Sequence, residues 1–233
     1  MGAGALALFW WLAVLHPYLA FTKDQRMRRS TSFAEMDGNF SDAVRLNPFQ
    51  ASTYLFPVGA FLAARPVVPL TLDLHRRFRR DLDEAQRVDR ISADQWLHRA
   101  REETRAFRSL FHDVPTRDRS LAAYRAAIRL APHDPRIRVE LALFLGEIGR
   151  GGDAISQFHQ ALAEEPNYLS CQVFLTRMLL DQRDRGAALA SWKRVAEIRS
   201  NLATYRPDSS YAGDIVRDPW TLREELAQEL GPS

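Results

Sequence analysis

Small, ring-bearing and proline positions recur with a fixed step through the second half of the chain. Ser120, Ala154 and Ala188 lie 34 residues apart, and so do Tyr124, Phe158 and Trp192. Ala127, Ala161 and Val195 form a third column, and Pro132, Pro166 and Ser200 a fourth. Within one copy, Ala154, Phe158 and Ala161 fall at i, i+4 and i+7, which places them on one stripe of an α-helix. Two small residues bracketing a ring let a neighbouring helix approach closely while the ring fills the space between. Upstream, Leu141, Leu145 and Ile148 make a second helical stripe, and Gly149 to Gly152 supply a turn. Pro166 ends the helix before it or opens the next, because its missing N–H is harmless only in a first turn. Each copy is therefore predicted to be a helix, a tight turn and a second helix.

A 34-residue helical hairpin with alanine, aromatic, alanine and proline in its second helix resembles the tetratricopeptide repeat (TPR) family. The fullest copy is 135–168, with Ala154, Phe158, Ala161 and Pro166 in the four places and Leu141 and Leu145 in the first helix. The chain departs from the pattern where the family places an aromatic in the first helix, which is Arg138 and Gln172 here. Ala142 and Thr176 stand in place of its glycine. Ser200 replaces the closing proline of the third copy, which marks that copy as the last full one. The resemblance implies an all-α, TPR-like helical-hairpin solenoid over 117–200 whose packing rests on Tyr124, Ala127, Pro132, Ala154, Phe158, Ala161, Pro166, Ala188 and Trp192. It also implies a concave face built from first helices, receiving an extended or helical protein segment. By position that face holds Arg136, Val139, Leu143, Val173, Phe174 and Arg177. The lysine and asparagine with which some family members clamp a C-terminal carboxylate correspond to Val139 and Leu143, so the clamp is absent. An apolar groove edged by arginine suits an amphipathic or extended apolar partner. The chain's own C-terminal helix is the alternative occupant.

Weaker patterns flank these repeats. Phe40, Ala43 and Pro48 repeat the aromatic, alanine and proline spacing, giving a divergent hairpin within a juxtamembrane segment, 23–69, whose apolar run 51–66 supplies a following helix or a second membrane segment. Residues 70–116 read as a charged helical pair. There, Arg76, Arg77, Arg79 and Arg80 meet either anionic lipid or solvent beside Asp81, Asp83 and Glu84. Residues 201–233 read as a loop followed by a capping helix on Leu222, Leu226 and Leu230, opened by Asp218 and Pro219.

The N-terminus adds a membrane expectation. Gly2 to Thr22 carries no charged residue, and about twenty such residues span a bilayer core as a helix. An N-terminal transmembrane helix over 1–22 is the favoured reading; a cleaved signal peptide and a buried core helix are the alternatives. Lys23, Arg26, Arg28 and Arg29 follow at once, which places that flank and the repeats on the cytoplasmic side of a single-pass protein, with a periplasmic arrangement as the alternative. The layout of an apolar helix followed by repeats also resembles the C-terminal region of O-antigen ligase or polymerase-like membrane proteins. That likeness implies an accessory role in surface-polysaccharide export within a membrane-protein complex, without the family's multiple spans or catalytic loop.

Charge and reactive side chains point away from catalysis. Thirty arginines stand against two lysines, yet the net charge is only +3, so no single-sign stripe for nucleic acid is expected. Cys171 is the sole cysteine, which rules out an internal disulfide and a cysteine metal site. The six histidines have no zinc-ligand spacing, and no nucleophile elbow, phosphate loop or dinucleotide fingerprint occurs. Glu102 with Glu103, adjacent in sequence, diverge on a helix. The expected protein is a non-enzymatic, membrane-anchored scaffold without a cofactor, with a protein partner and a bilayer as its contacts.

Overall fold

The computed structural model describes residues 16–29, 33–46, 70–89, 91–205, 207 and 209–231. Every regular element among them is helical, and they fall into two compact units, 1–130 and 131–233. Most of the expected anchor, Pro48 and the run 51–66 lie outside the described residues. No described helix is long and apolar enough to cross a membrane.

In the first unit, α1 (His16–Arg29) packs on α2 (Phe33–Leu46). Met27, Phe40 and Ala43 are buried between them, and Lys23 bonds Asp42 at 2.5 Å. Thr71 caps α3 (Leu72–Val88) by accepting from Leu74 N–H, the ordinary role of an N-cap threonine. Helix α4 (Ala93–Ala106) runs on as a π-helical turn, Phe107–Phe111, and pairs with α5 (Val114–Leu130). Tyr124 and Ala127 of α5 are buried. The first copy of the repeat is thus a hairpin whose first helix comes from the charged 70–116 segment. Of the four-arginine cluster, Arg79 pairs with Glu103 and Arg77 lies over the Phe40 ring.

In the second unit the order is α6 (Pro135–Glu147), α7 (Gly151–Glu164), α8 (Leu169–Asp181), α9 (Arg185–Leu202), α10 (Ser210–Val216) and α11 (Trp220–Leu230). Helix α6 pairs with α7, α7 meets α8, and α8 pairs with α9. Asp134 caps α6 ahead of Pro135, which sits where a missing N–H costs nothing. Ala154, Phe158 and Ala161 each have 0% exposure; truncating a ring so placed costs about 3–5 kcal/mol. Ala188, Trp192 and Val195 are buried in the same columns. Pro132 and Pro166 lie exposed in the turns after α5 and α7. Where Ser200 takes the proline's place, α9 continues through it to Leu202.

The α6–α7 and α8–α9 turns close in the same way. Gly149 has φ +78° and Arg183, 34 residues on, φ +63°. Arg150 N–H reaches Leu145 C=O at 2.8 Å, and Asp184 N–H reaches Leu179 C=O at 2.9 Å, the signature of a left-handed helix C-terminus that favours glycine. Arginine in that region carries strain that glycine would relieve. Arg183→Gly is expected to stabilise the chain by about 0.5–1 kcal/mol, and Gly149→Ala to destabilise it by about 1–2 kcal/mol. Denaturant unfolding followed by circular dichroism checks both, and opposite signs are required.

Candidate functional site

Two places concentrate polar chemistry, one in each unit. In the first unit it lies inside the packing. Glu102 and Glu103 are each 1% exposed and diverge from one helix to different partners. His75 Nδ1 is 2.5 Å from Glu102 Oε1, and the Phe111 ring meets the imidazole edge-on at 5.2 Å. Arg119 donates to Glu103 at 2.9 Å from one side while Arg79 stands at 3.5 Å on the other. Thr104 and Ser120 share a buried hydroxyl bond of 2.6 Å that ties α4 to α5. Glu102 and Glu103 are enclosed and meet partners from other helices, so the cluster holds helices together, although Glu102 Oε2 has no hydrogen-bond partner among the described residues. Burial pushes the Glu102 carboxyl above its ordinary range, and the bond to His75 only partly opposes this.

The second place is the face of α6 and α8. Arg136 is fixed at the start of α6: Asp134 accepts Arg136 N–H at 3.0 Å as the helix cap and also takes its guanidinium at 3.0 and 2.8 Å. The same guanidinium lies 5.0 Å from the Tyr211 ring centroid, within cation–π range, and 3.6 Å from Asp214 Oδ2. Both partners belong to α10. Burial pushes the Tyr168 phenol up, and burial likewise raises the Cys171 thiol and leaves it unreactive.

The expected groove residues do not share one environment. Val139 is buried in α6, whereas Leu143 is 36% exposed. Phe174 is half-buried. Val173 is fully buried in a cluster with Leu169, Trp192, Val195, Ile198 and Leu226, the last contributed by α11. Arg177 pairs with Asp181 at 2.9 Å and stands 3.6 Å from Glu229 of α11. Trp192 Nε1–H donates to Gly231 C=O at 2.8 Å, closing the end of α11 over α9. The C-terminal helices therefore lie against the α8 part of this face, while Leu143 remains at the surface. Helix α11 starts one residue later than the Asp218–Pro219 pair suggests. Pro219 C=O accepts the first helical bond, from Arg223 N–H, and Asp218 instead takes the Arg223 guanidinium at 3.0 Å.

A cavity of about 500 Å³ opens beside α10. It is lined by Glu165 and Asn167 from the α7–α8 turn, Asn201 and Leu202 from the end of α9, and Tyr211, Ala212 and Ile215 from α10, among others. Tyr211 and Asp214 carry no sequence signal of their own, since only the fold brings them to Arg136. Among the described residues, no group of three or more His, Cys, Asp or Glu side chains could hold a metal ion.

No protein-family profile and no curated protein matches the chain. Solved structures do. The chain is similar to the MamA protein (TM-score 0.63, 14% identity, covering 83% of this chain and 97% of that one). It is also similar to TTC0263, a thermophilic TPR protein of Thermus thermophilus (0.53, 16%, 72% and 87%). A third likeness is to YrrB, described as a TPR protein with an unusual peptide-binding site (0.50, 15%, 75% and 78%). The fold is that of TPR proteins. These likenesses concern the helical repeats and lend no support to the O-antigen ligase-like layout or to membrane anchoring.

The buried carboxyl generates a prediction with a definite sign. A carboxyl whose folded pKa is raised contributes most stability when protonated in both states, and loses it as pH rises from the unfolded value toward the folded one. Wild-type stability relative to Glu102→Gln is expected to fall as pH is raised from the ordinary glutamate value of about 4. Denaturant unfolding at increasing pH measures it; a difference that grows in favour of the wild type would show that the His75 contact outweighs burial.

Proposed function

We propose that this chain is a binding scaffold that takes a protein segment on the α6–α8 face of its second unit. The reading is supported by one observation: Leu143 stays exposed on a first helix of a TPR fold, the helix that also carries the oriented cation of Arg136, while Phe174 is half-buried on the neighbouring first helix. An apolar strip edged by a fixed guanidinium fits an extended or amphipathic segment with a carboxylate at its margin. The peptide-binding site named for YrrB, a protein of similar fold, agrees with that use. Reversing the face with Leu143→Arg and Phe174→Glu together is expected to remove at least one protein recovered by affinity purification from detergent extract. Helical content should be unchanged. Recovery of every partner by the double variant would reject the face.

Residues 2–22 serve in this proposal as a bilayer anchor, holding the repeats on the cytoplasmic side. Support comes from the uncharged run Gly2 to Thr22 and the basic flank after it. The full chain is expected to remain in the membrane pellet after alkaline carbonate washing, and a chain lacking 2–22 to appear in the supernatant. Release of both would assign the apolar run to the protein's own core.

A further inference from the structure

We propose that α10 is a built-in competitor for the binding face. On this view the outside partner is a protein segment carrying an aromatic ring and a carboxylate one helical turn apart. The inference rests on the groove reading above and adds the chemistry of its ligand.

Arg136 is held in place independently of α10. Asp134 grips the guanidinium through two bonds of 3.0 and 2.8 Å, so the cation keeps its orientation whether or not α10 is present. Tyr211 then lies against the guanidinium and Asp214 approaches it at 3.6 Å. The two side chains are three residues apart in sequence, and a helix presents such positions on one face. An aromatic-plus-acid pair on one helical turn is therefore what the site already recognises, within its own chain.

The hold on this segment is light. Helix α10 has seven residues, well short of the length at which a helix is stable alone. Ile215 is its buried apolar anchor at 6% exposure, while Tyr211 is 38% exposed. The seat is also incompletely filled, since Ala212 faces the 500 Å³ cavity bounded by Asn167, Asn201 and Leu202. A partner with a larger apolar residue at that position would bury surface that alanine leaves open. By contrast, α11 is locked down by Leu226 at 0% exposure and by the Trp192 bond to Gly231. Releasing α10 can therefore leave the capped repeats intact.

The experiment uses the full chain in detergent and a fluorescein-labelled peptide of residues 207–219 as probe. The opened chain carries Tyr211→Ala and Asp214→Asn, which empties the seat without touching Arg136. Fluorescence anisotropy is expected to show the peptide binding the opened chain about tenfold or more tightly than the wild type, because the closed segment reduces apparent affinity by its own occupancy. Peptides carrying Tyr211→Ala or Asp214→Asn should lose that binding, and one carrying Ala212→Leu should gain. Equal affinity for wild-type and opened chains, no binding to the opened chain, or indifference to the peptide substitutions would each overturn the proposal. So would a wild-type dimer by light scattering that exchanges this segment between copies. Because the probe does not depend on Leu143 or Phe174, failure here leaves the capture experiment on the groove standing, and failure there leaves this one interpretable.

Discussion

The structure depends on how close two helices can come when a ring sits between two alanines. Ala154 and Ala161 have no exposed surface, and neither has Phe158 between them, so α7 lies tight against α6 on one side and α8 on the other. A larger residue at either alanine would force the helices apart, and an overpacked core typically loses about 1–3 kcal/mol. The same constraint explains the turns. With so little space between helices, the chain must reverse within a few residues, and a left-handed residue at 149 and again at 183 lets each first helix close onto its own last carbonyls.

Where the chain departs from the family pattern, polar contacts do the work of the missing packing. Gln172 and Thr176 stand where an aromatic and a glycine are usual. In the structure both reach Ser191 of α9, through Nε2 and Oγ1 at 2.7 Å each, and Thr176 also donates to Gln172 C=O at 2.9 Å. In the copy before it, Arg138 donates to Gln157 at 3.3 Å, the position one repeat before Ser191, and to Gln160 at 2.7 Å at the surface. A buried hydrogen-bonded group must keep its partners to be tolerated, so Gln172 and Thr176 hold α8 and α9 in one register where an apolar contact could slide.

This also decides what could be read from the sequence. The second-unit helices were legible because the small and ring columns keep a strict period, and Ala154, Phe158, Ala161, Ala188, Trp192 and Val195 in them are all buried. Helix α4 was legible as a helix but not as a core element: Glu102, Glu103, Thr104 and Arg105 are all buried there, and hydropathy assigns such residues to the outside. Glu102, Glu103 and Thr104 are buried against His75, Arg79, Arg119 and Ser120, which arrive from other helices, a fact of tertiary structure. SYAGDIV gave no helical stripe at all, being too short for a period to show. Its placement follows from Arg136, some seventy-five residues earlier, and no local rule connects the two.

The two C-terminal helices divide the tasks that a repeat array sets its last turns. An array of hairpins ends in an apolar face that must be covered, and α11 covers it, with Leu226 set among Val173, Trp192, Val195 and Ile198. Helix α10 is shorter, with Ile215 as its buried apolar residue. It packs on α8, and its Tyr211 and Asp214 reach Arg136 of α6, a residue whose orientation is already secured by its own cap. A short helix that spends its one ring and one carboxylate on a single cation is poorly explained as a stabiliser, since ion pairs at this exposure contribute about 0–1 kcal/mol. It is well explained as an element whose contacts are meant to be exchanged: the strength of the interaction is low enough to be lost to a better-fitting segment, and the permanent cap keeps the repeats folded while that happens.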